Sequence, residues 1–282
     1  MTLALTLLTL AHAQVFLSPE EAARLIDAGA AVVDARATRR WWAGHIPGSG
    51  PVDWWSIREG RRIREGRLTS DTAQLKEALE AAGVRGDAPV VVTGRGARGW
   101  GEEGRLFWTL EYLGHPQVYV MDGGMPAWEA AGLPTERGWR RPEPGNFQPS
   151  TAPALRADTD RVQRAAASGD AVIWDTRSRK EFLGATPAGE RRGGHIPGAR
   201  GLYYRELTDA AGRLLPREAL EQALIGAGIP LDQPVITLCT GGVRAGFAYA
   251  ALRELGHPAA SVYDASMWAW SAAPDLPLTV AP

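Results

Sequence analysis

Cys239, the single cysteine of this 282-residue chain, opens the stretch Cys239-Thr240-Gly241-Gly242-Val243-Arg244-Ala245. An apolar run over 234–238 precedes it and a helix-like segment over 244–255 follows. A strand, a glycine loop and a helix start bring many backbone N–H groups towards one sulfur. The unpaired N–H groups of a first helical turn and the positive end of the helix dipole both favour an anion, so a thiol held there is expected to ionise readily. Gly241 and Gly242 are expected to curl the backbone through positive φ angles, and Arg244 supplies a fixed positive charge. The chemistry this predicts is nucleophilic: a Cys239 thiolate, with Thr240, Gly241, Gly242, Val243 and Arg244 as the loop that binds anionic substrate. A lone cysteine is otherwise a small buried hydrophobe, a reading that leaves the glycine loop unexplained.

The elements that must position this loop occur twice. Ser18-Pro19-Glu20-Glu21 reads as a capping box with proline at the first helical position, and a short buried strand follows at 32–33. The same order returns at 158–167 and 172–174. Helix and strand patterns then alternate over 72–82, 90–93, 102–113 and 118–121, and again over 217–227, 235–238, 244–255 and 261–263. Such alternation predicts an α/β fold of parallel sheets flanked by helices. Asp34-Ala35-Arg36 and His45-Ile46-Pro47-Gly48 mirror Asp175-Thr176-Arg177 and His195-Ile196-Pro197-Gly198, and Leu113-Gly114-His115-Pro116 mirrors Leu255-Gly256-His257-Pro258. A repeat this long signals duplicated domains rather than a solenoid. The boundaries read as 14–133 for the first domain, a proline-rich, semi-rigid linker over 134–154, and 155–282 for the second. Aligning 89–94 with 234–239 places Gly94 where the nucleophile would be, so the first copy is expected to be catalytically silent.

On these residues the chain resembles the tandem rhodanese family of sulfurtransferases. That family's loop commonly reads Cys-x-x-Gly-Val-x-Ala, matched by Cys239, Gly242, Val243 and Ala245. Its His-Ile-Pro-Gly-Ala signature after a strand ending Asp-x-Arg is matched at 195–199 and 175–177. A third signature, at 263–270, departs at Ala265 and Met267, where the family usually has glycine and tryptophan. The resemblance implies two tandem rhodanese-like domains and transfer of sulfane sulfur through a Cys239 persulfide. The donor would be a small molecule such as thiosulfate and the acceptor cyanide, a small thiol or a protein thiol, with no metal or organic cofactor. 3-Mercaptopyruvate is the alternative donor, and a persulfide carrier or binding module the alternative to an enzyme. Relatives specific for mercaptopyruvate usually carry serine where this chain has Gly241. The vertebrate thiosulfate enzymes carry an anion-binding arginine where it has Glu181, which would repel a dianion if it pointed inward, leaving Arg179, Lys180 or Arg244 to compensate. A phosphatase or arsenate reductase needs Cys-x5-Arg, and Arg244 falls one residue short.

Other residues read as structural. Asp-x-Arg recurs in the silent copy, so Arg177 and Arg36 are expected to brace their domains by pairing with carboxylates. His45 and His195 are expected to anchor turns, although in mercaptopyruvate-specific relatives a first-domain histidine approaches the site. Most of the eleven tryptophans should pack in cores or between domains, with Trp41-Trp42 and Trp54-Trp55 as candidates for lining a cleft. A net charge of −1 gives no electrostatic reason to expect nucleic acid or an acidic membrane surface as partner. At its start, the apolar run 3–10 and Ala11-His12-Ala13 read as a signal peptide over 1–13, predicting export to the periplasm. No basic residue precedes the run, and a cytoplasmic protein with a disordered lead or first strand is the alternative. The run is far too short to span a bilayer.

Overall fold

The computed structural model describes residues 14–60 and 66–280, so the candidate signal peptide lies outside the described residues. The first copy runs β1 (Phe16–Leu17), α1 (Pro19–Asp27), β2 (Ala31–Asp34), α2 (Thr38–Ala43), β3 (Gly50–Pro51), α3 (Thr72–Ala81), β4 (Val90–Thr93), α4 (Glu102–Tyr112), β5 (Val118–Met121) and α5 (Gly124–Ala130). The second runs α6 (Thr159–Ser168), β6 (Val172–Asp175), α7 (Arg179–Phe182), β7 (Arg200–Gly201), α8 (Arg217–Gly226), β8 (Val235–Leu238), α9 (Val243–Glu254), β9 (Ala260–Val262) and α10 (Ser266–Trp270). Among the described residues no helix is long and apolar enough to cross a membrane.

Both sheets are parallel, in the orders β1-β5-β4-β2-β3 and β7-β6-β8-β9. Parallel strands covered on both faces read as continuous apolar runs, and β4 and β8 are buried at every position. The register confirms the duplication residue by residue. Asp34 pairs with Thr93 and Asp175 with Leu238, so Gly94 and Cys239 are the first residues beyond equivalent strands. The Ser18 box forms as expected, with Ser18 Oγ accepting the Glu21 N–H and Glu21 accepting the Ser18 N–H. Residues 139–152 run without regular structure along the first domain, where Gly145 N–H bonds Glu80 O, Ser150 N–H bonds Leu113 O and Phe147 is buried.

The two copies share a core. One apolar cluster joins Val33, Val92 and Leu106 of the first copy to Trp174, Tyr249 and Leu252 of the second, while each sheet keeps a smaller cluster on its outer face. The junction is α4 against α9. Gly104 and Gly246 let the two backbones touch: a Cβ on Gly246 would come within 2.6 Å of the Arg105 Cα and 2.8 Å of Gly104 O. Every residue of α9 from Val243 to Leu252 is buried, which removes any polar face from this helix. Gly246→Val must separate the two helices, and overpacking of this kind costs about 1–3 kcal/mol or more. Urea unfolding is expected to show that loss, and wild-type stability in the variant would contradict the close packing.

A reciprocal clasp accompanies the shared core. Asp264 accepts the Leu68 N–H of the first copy at 2.6 Å, and its mate Asp122 accepts the Leu214 N–H of the second at 2.9 Å. Tyr204 and Arg205 bond Gly99 O in the loop after β4, while Arg105 reaches across to the loop after β8. Each copy therefore shapes the strand-end loop of the other.

Candidate active site

Cys239 follows β8 at the floor of a cleft of about 500 Å³ between the two copies and is 1 % exposed. Its sulfur accepts the Gly242 N–H at 3.1 Å, and its own N–H donates to Ser266 Oγ at 3.1 Å. α9 starts at Val243, so its free first-turn N–H groups lie in the same loop. The two glycines do different work. Only Gly242 adopts positive φ, at 79°, while Gly241 is required by space, because a Cβ there would run into the Trp268 ring. The expectation of positive φ at both is corrected to Gly242 alone.

Thr240, Gly241, Val243 and Arg244 line the cleft with Cys239, and Gly242 contributes its N–H from behind. Arg244 does not present a free charge. Its guanidinium forms two 2.8 Å bonds to Glu181 and a third, of 2.7 Å, to Thr240 Oγ1, and it is 6 % exposed. Burial works against its charge, but the Glu181 hydrogen bonds and the nearby Cys239 and Glu181 charges outweigh that and raise its pKa further. Burial likewise opposes the Glu181 carboxylate, and Arg244 overcomes it, holding Glu181 down at about 2. Glu181 thus points inward, already neutralised. Its place was legible: Ser178-Arg179-Lys180-Glu181 has the Ser-x-x-Glu form, and the capping box it makes at the start of α7 orients Glu181. Arg179 and Lys180, on the same short helix, are not among the residues lining the cleft.

Arg105 was not singled out from sequence, where it is one polar residue in a predicted helix. It is 1 % exposed, lies against Gly242, bonds Gly66 O at 2.9 Å and sits 3.7 Å from Asp264. Among the described residues its Nε and Nη1 have no hydrogen-bond partner. Burial lowers its pKa to about 10, against the pull of Asp264. This guanidinium from the first copy adds a positive charge behind the cysteine loop.

The remaining residues sort by position. Arg177 forks onto Asp175 and bonds Gly194 O, as Arg36 forks onto Asp34 and bonds Gly44 O. His195 stacks on Phe182 and bonds its carbonyl; His45 stacks on Trp41, bonds the Trp41 carbonyl and faces Glu136. Neither histidine lines the cleft. Of the tryptophan pairs, Trp54 and Trp55 line it, whereas Trp41 is fully buried and Trp42 faces solvent elsewhere. Arg95 lines it and Arg98 is exposed outside it.

In the first copy the place equivalent to Cys239 is filled. A side chain on Gly94 would meet the Glu103 carboxyl, which is 3 % exposed, its Oε2 without a partner among the described residues. Burial, and secondarily the Glu102 charge, raise its pKa to about 8. The folded protein therefore holds this proton to a higher pH than the unfolded chain. The contribution to stability is intact below about 4.5 and is lost as pH rises through about 8. Glu103→Gln, neutral at every pH, is expected to stabilise the protein more at pH 8.5 than at pH 5, by on the order of 4 kcal/mol. Thermal melts at the two pH values check this, and an equal shift at both would contradict it.

The fold is a duplicated parallel α/β protein with its one cysteine at the end of a central strand, in the cleft between the two copies. The rhodanese-like domain model matches residues 18–131 and 158–273. A thiosulfate sulfurtransferase of Pseudomonas aeruginosa is 31% identical over 249 residues, 88% of this chain and 90% of that protein. A probable 3-mercaptopyruvate sulfurtransferase of the same organism is 30% identical over 285 residues, 95% of this chain and 99% of that protein. The crystal structure of Escherichia coli SseA, described with the fold and catalytic mechanism of 3-mercaptopyruvate sulfotransferases, matches with a TM-score of 0.81 at 26% identity. It covers 90% of this chain and 98% of that one. The chain belongs to the rhodanese family of sulfurtransferases, with two tandem rhodanese-like domains.

Proposed function

We propose that this sulfurtransferase takes sulfane sulfur from thiosulfate and passes it to a thiophilic acceptor through a persulfide on Cys239. The observation that carries this reading is the Gly242 N–H held 3.1 Å from Cys239 Sγ at the cleft floor. A backbone donor aimed at sulfur supports the thiolate before reaction and the inner sulfur of the persulfide after it. The thiolate attacks the outer sulfur of thiosulfate, the S–S bond breaks, and its electron pair leaves with sulfite. An acceptor then attacks the outer sulfur of the persulfide and returns the pair to Cys239.

Thiosulfate is favoured over 3-mercaptopyruvate as donor because Gly241 offers no hydroxyl to relay a proton, and none is needed when sulfite leaves as a stable anion. Turnover of thiosulfate with cyanide, followed as thiocyanate with 3-mercaptopyruvate run in parallel, tests both choices. Thiosulfate is expected to give the higher kcat/KM. A higher value for mercaptopyruvate would reverse the donor, and a stoichiometric burst without turnover would make the protein a sulfur carrier.

A further inference from the structure

The cleft exceeds what the donor needs. About 500 Å³ falls within the range of sites that enclose a drug-sized organic molecule, and thiosulfate, an ion of five heavy atoms, fills only a small part of it. Four tryptophans wall the space: Trp54 and Trp55 after β3, Trp100 in the silent loop and Trp268 on α10. The Trp54 and Trp55 rings lie 4.1 Å apart, and Trp55 faces Trp268 across the domain boundary at 6.4 Å. Trp268 is fixed by its Nε1–H to Ala188 O at 3.1 Å. Trp55 and Trp100 remain 41% and 57% exposed, so large ring surface is left uncovered beside the nucleophile.

The charge on the wall is also uneven. Arg244 is committed to Glu181, and Arg95 faces Glu102 at 4.0 Å. Arg39 and Arg40, on α2, line the same cleft, are exposed, and make no ion pair among the described residues. Arg40 stands six residues after Asp34, as Glu181 stands six after Asp175, so the duplication itself turns this position towards the site. Asp53, the other acid on the wall, accepts the Trp55 N–H at 3.0 Å, and burial favours its neutral form.

We propose that this cleft receives the sulfur acceptor, and that the acceptor is a small organic thiol with an aromatic body and an anionic group. The tryptophans hold the ring, and Arg39 and Arg40 hold the anion. The proposal rests on the persulfide reading above and adds the acceptor's class. A protein thiol fits less well, because Cys239 is 1 % exposed at the floor and a folded partner would need a protruding segment to reach it. In the transfer, the acceptor thiolate forms a bond to the outer persulfide sulfur, the S–S bond to Cys239 breaks, and Cys239 leaves as thiolate. The product is the acceptor's persulfide, with no net oxidation.

The test loads the full-length protein with sulfur, using thiosulfate or, if thiosulfate fails to load it, inorganic polysulfide. Acceptor discharge is then read separately from donor chemistry, so failure of the donor reading leaves this test in force. Stopped-flow rates are compared at equal thiolate concentration for 4-(mercaptomethyl)benzoate, phenylmethanethiol, 3-mercaptopropionate and cyanide. The aromatic carboxylate is expected to react at least about tenfold faster than 3-mercaptopropionate. Its rate relative to cyanide should fall about tenfold in Trp55→Ala and Trp100→Ala, whose exposed rings can be removed without opening the core. Arg39→Gln with Arg40→Gln should remove its advantage over phenylmethanethiol. Equal rates for aromatic and aliphatic thiols in the wild-type protein, or variants that slow every acceptor alike, would overturn the proposal. Faster discharge by reduced thioredoxin would assign the cleft to a protein acceptor instead.

Discussion

Cys239→Ser is expected to reduce sulfur transfer to background while the fold persists. No second cysteine exists to substitute, and an alcohol is a far weaker nucleophile at neutral pH. The serine hydroxyl still fits a site where the sulfur accepts the Gly242 N–H, so the loop should keep its shape. Intact-mass measurement after thiosulfate treatment should show one added sulfur on the wild-type protein and none on the variant. An unmodified wild-type mass, or activity surviving in the variant, would remove Cys239 from the mechanism. Replacing Gly94 with cysteine should not restore a second site, because Glu103 fills that space.

Arg244→Ala is expected to cost more in stability than a surface arginine would. From sequence, Arg244 reads as a substrate ligand whose loss raises KM with little effect on folding. The bidentate bond to Glu181 changes that balance, because truncation leaves a carboxylate 6 % exposed without its partner. Breaking a buried pair in this way costs about 3–5 kcal/mol. Arg244→Met with Glu181→Leu removes both charges and should recover most of that loss. The pH dependence is a second readout. Glu181 has a depressed folded pKa, so its contribution is present above about 4.5 and disappears as pH falls towards about 2. The double variant should lose that acid-limb sensitivity. Denaturant titrations from pH 7 to pH 3 would show it, and a stability unchanged by Arg244→Ala would return the residue to substrate binding.

The places of Cys239 and Gly94 at equivalent strand ends were legible without coordinates because their signals are local. Cysteine, two glycines and a helix start lie within a few residues, and strand register is carried by short apolar runs that align 90–93 with 235–238. Asp-x-Arg forks span two residues, which is why Arg36 and Arg177 could be read as braces.

What only the tertiary structure decided involves residues far apart in the chain or groups without a periodic signature. α4 is buried through most of its length and α9 through Leu252, so neither sequence marks the face on which the domains meet. The shared core, and with it the approach of Arg105 to Gly242, follows from that unmarked docking. Glu181 and Arg244 are sixty-three residues apart, and the sign of Glu181's effect depends on the partner, which charge alone cannot tell. Sequence offered two tryptophan pairs for the cleft on equal terms. Backbone direction after β3 turned Trp54 and Trp55 into it, and the clasp between the domains brought Trp100 and Trp268 to the same space. The cysteine loop is thus written in one short segment, whereas the side chains that wall the cleft around it come together only where the two copies meet.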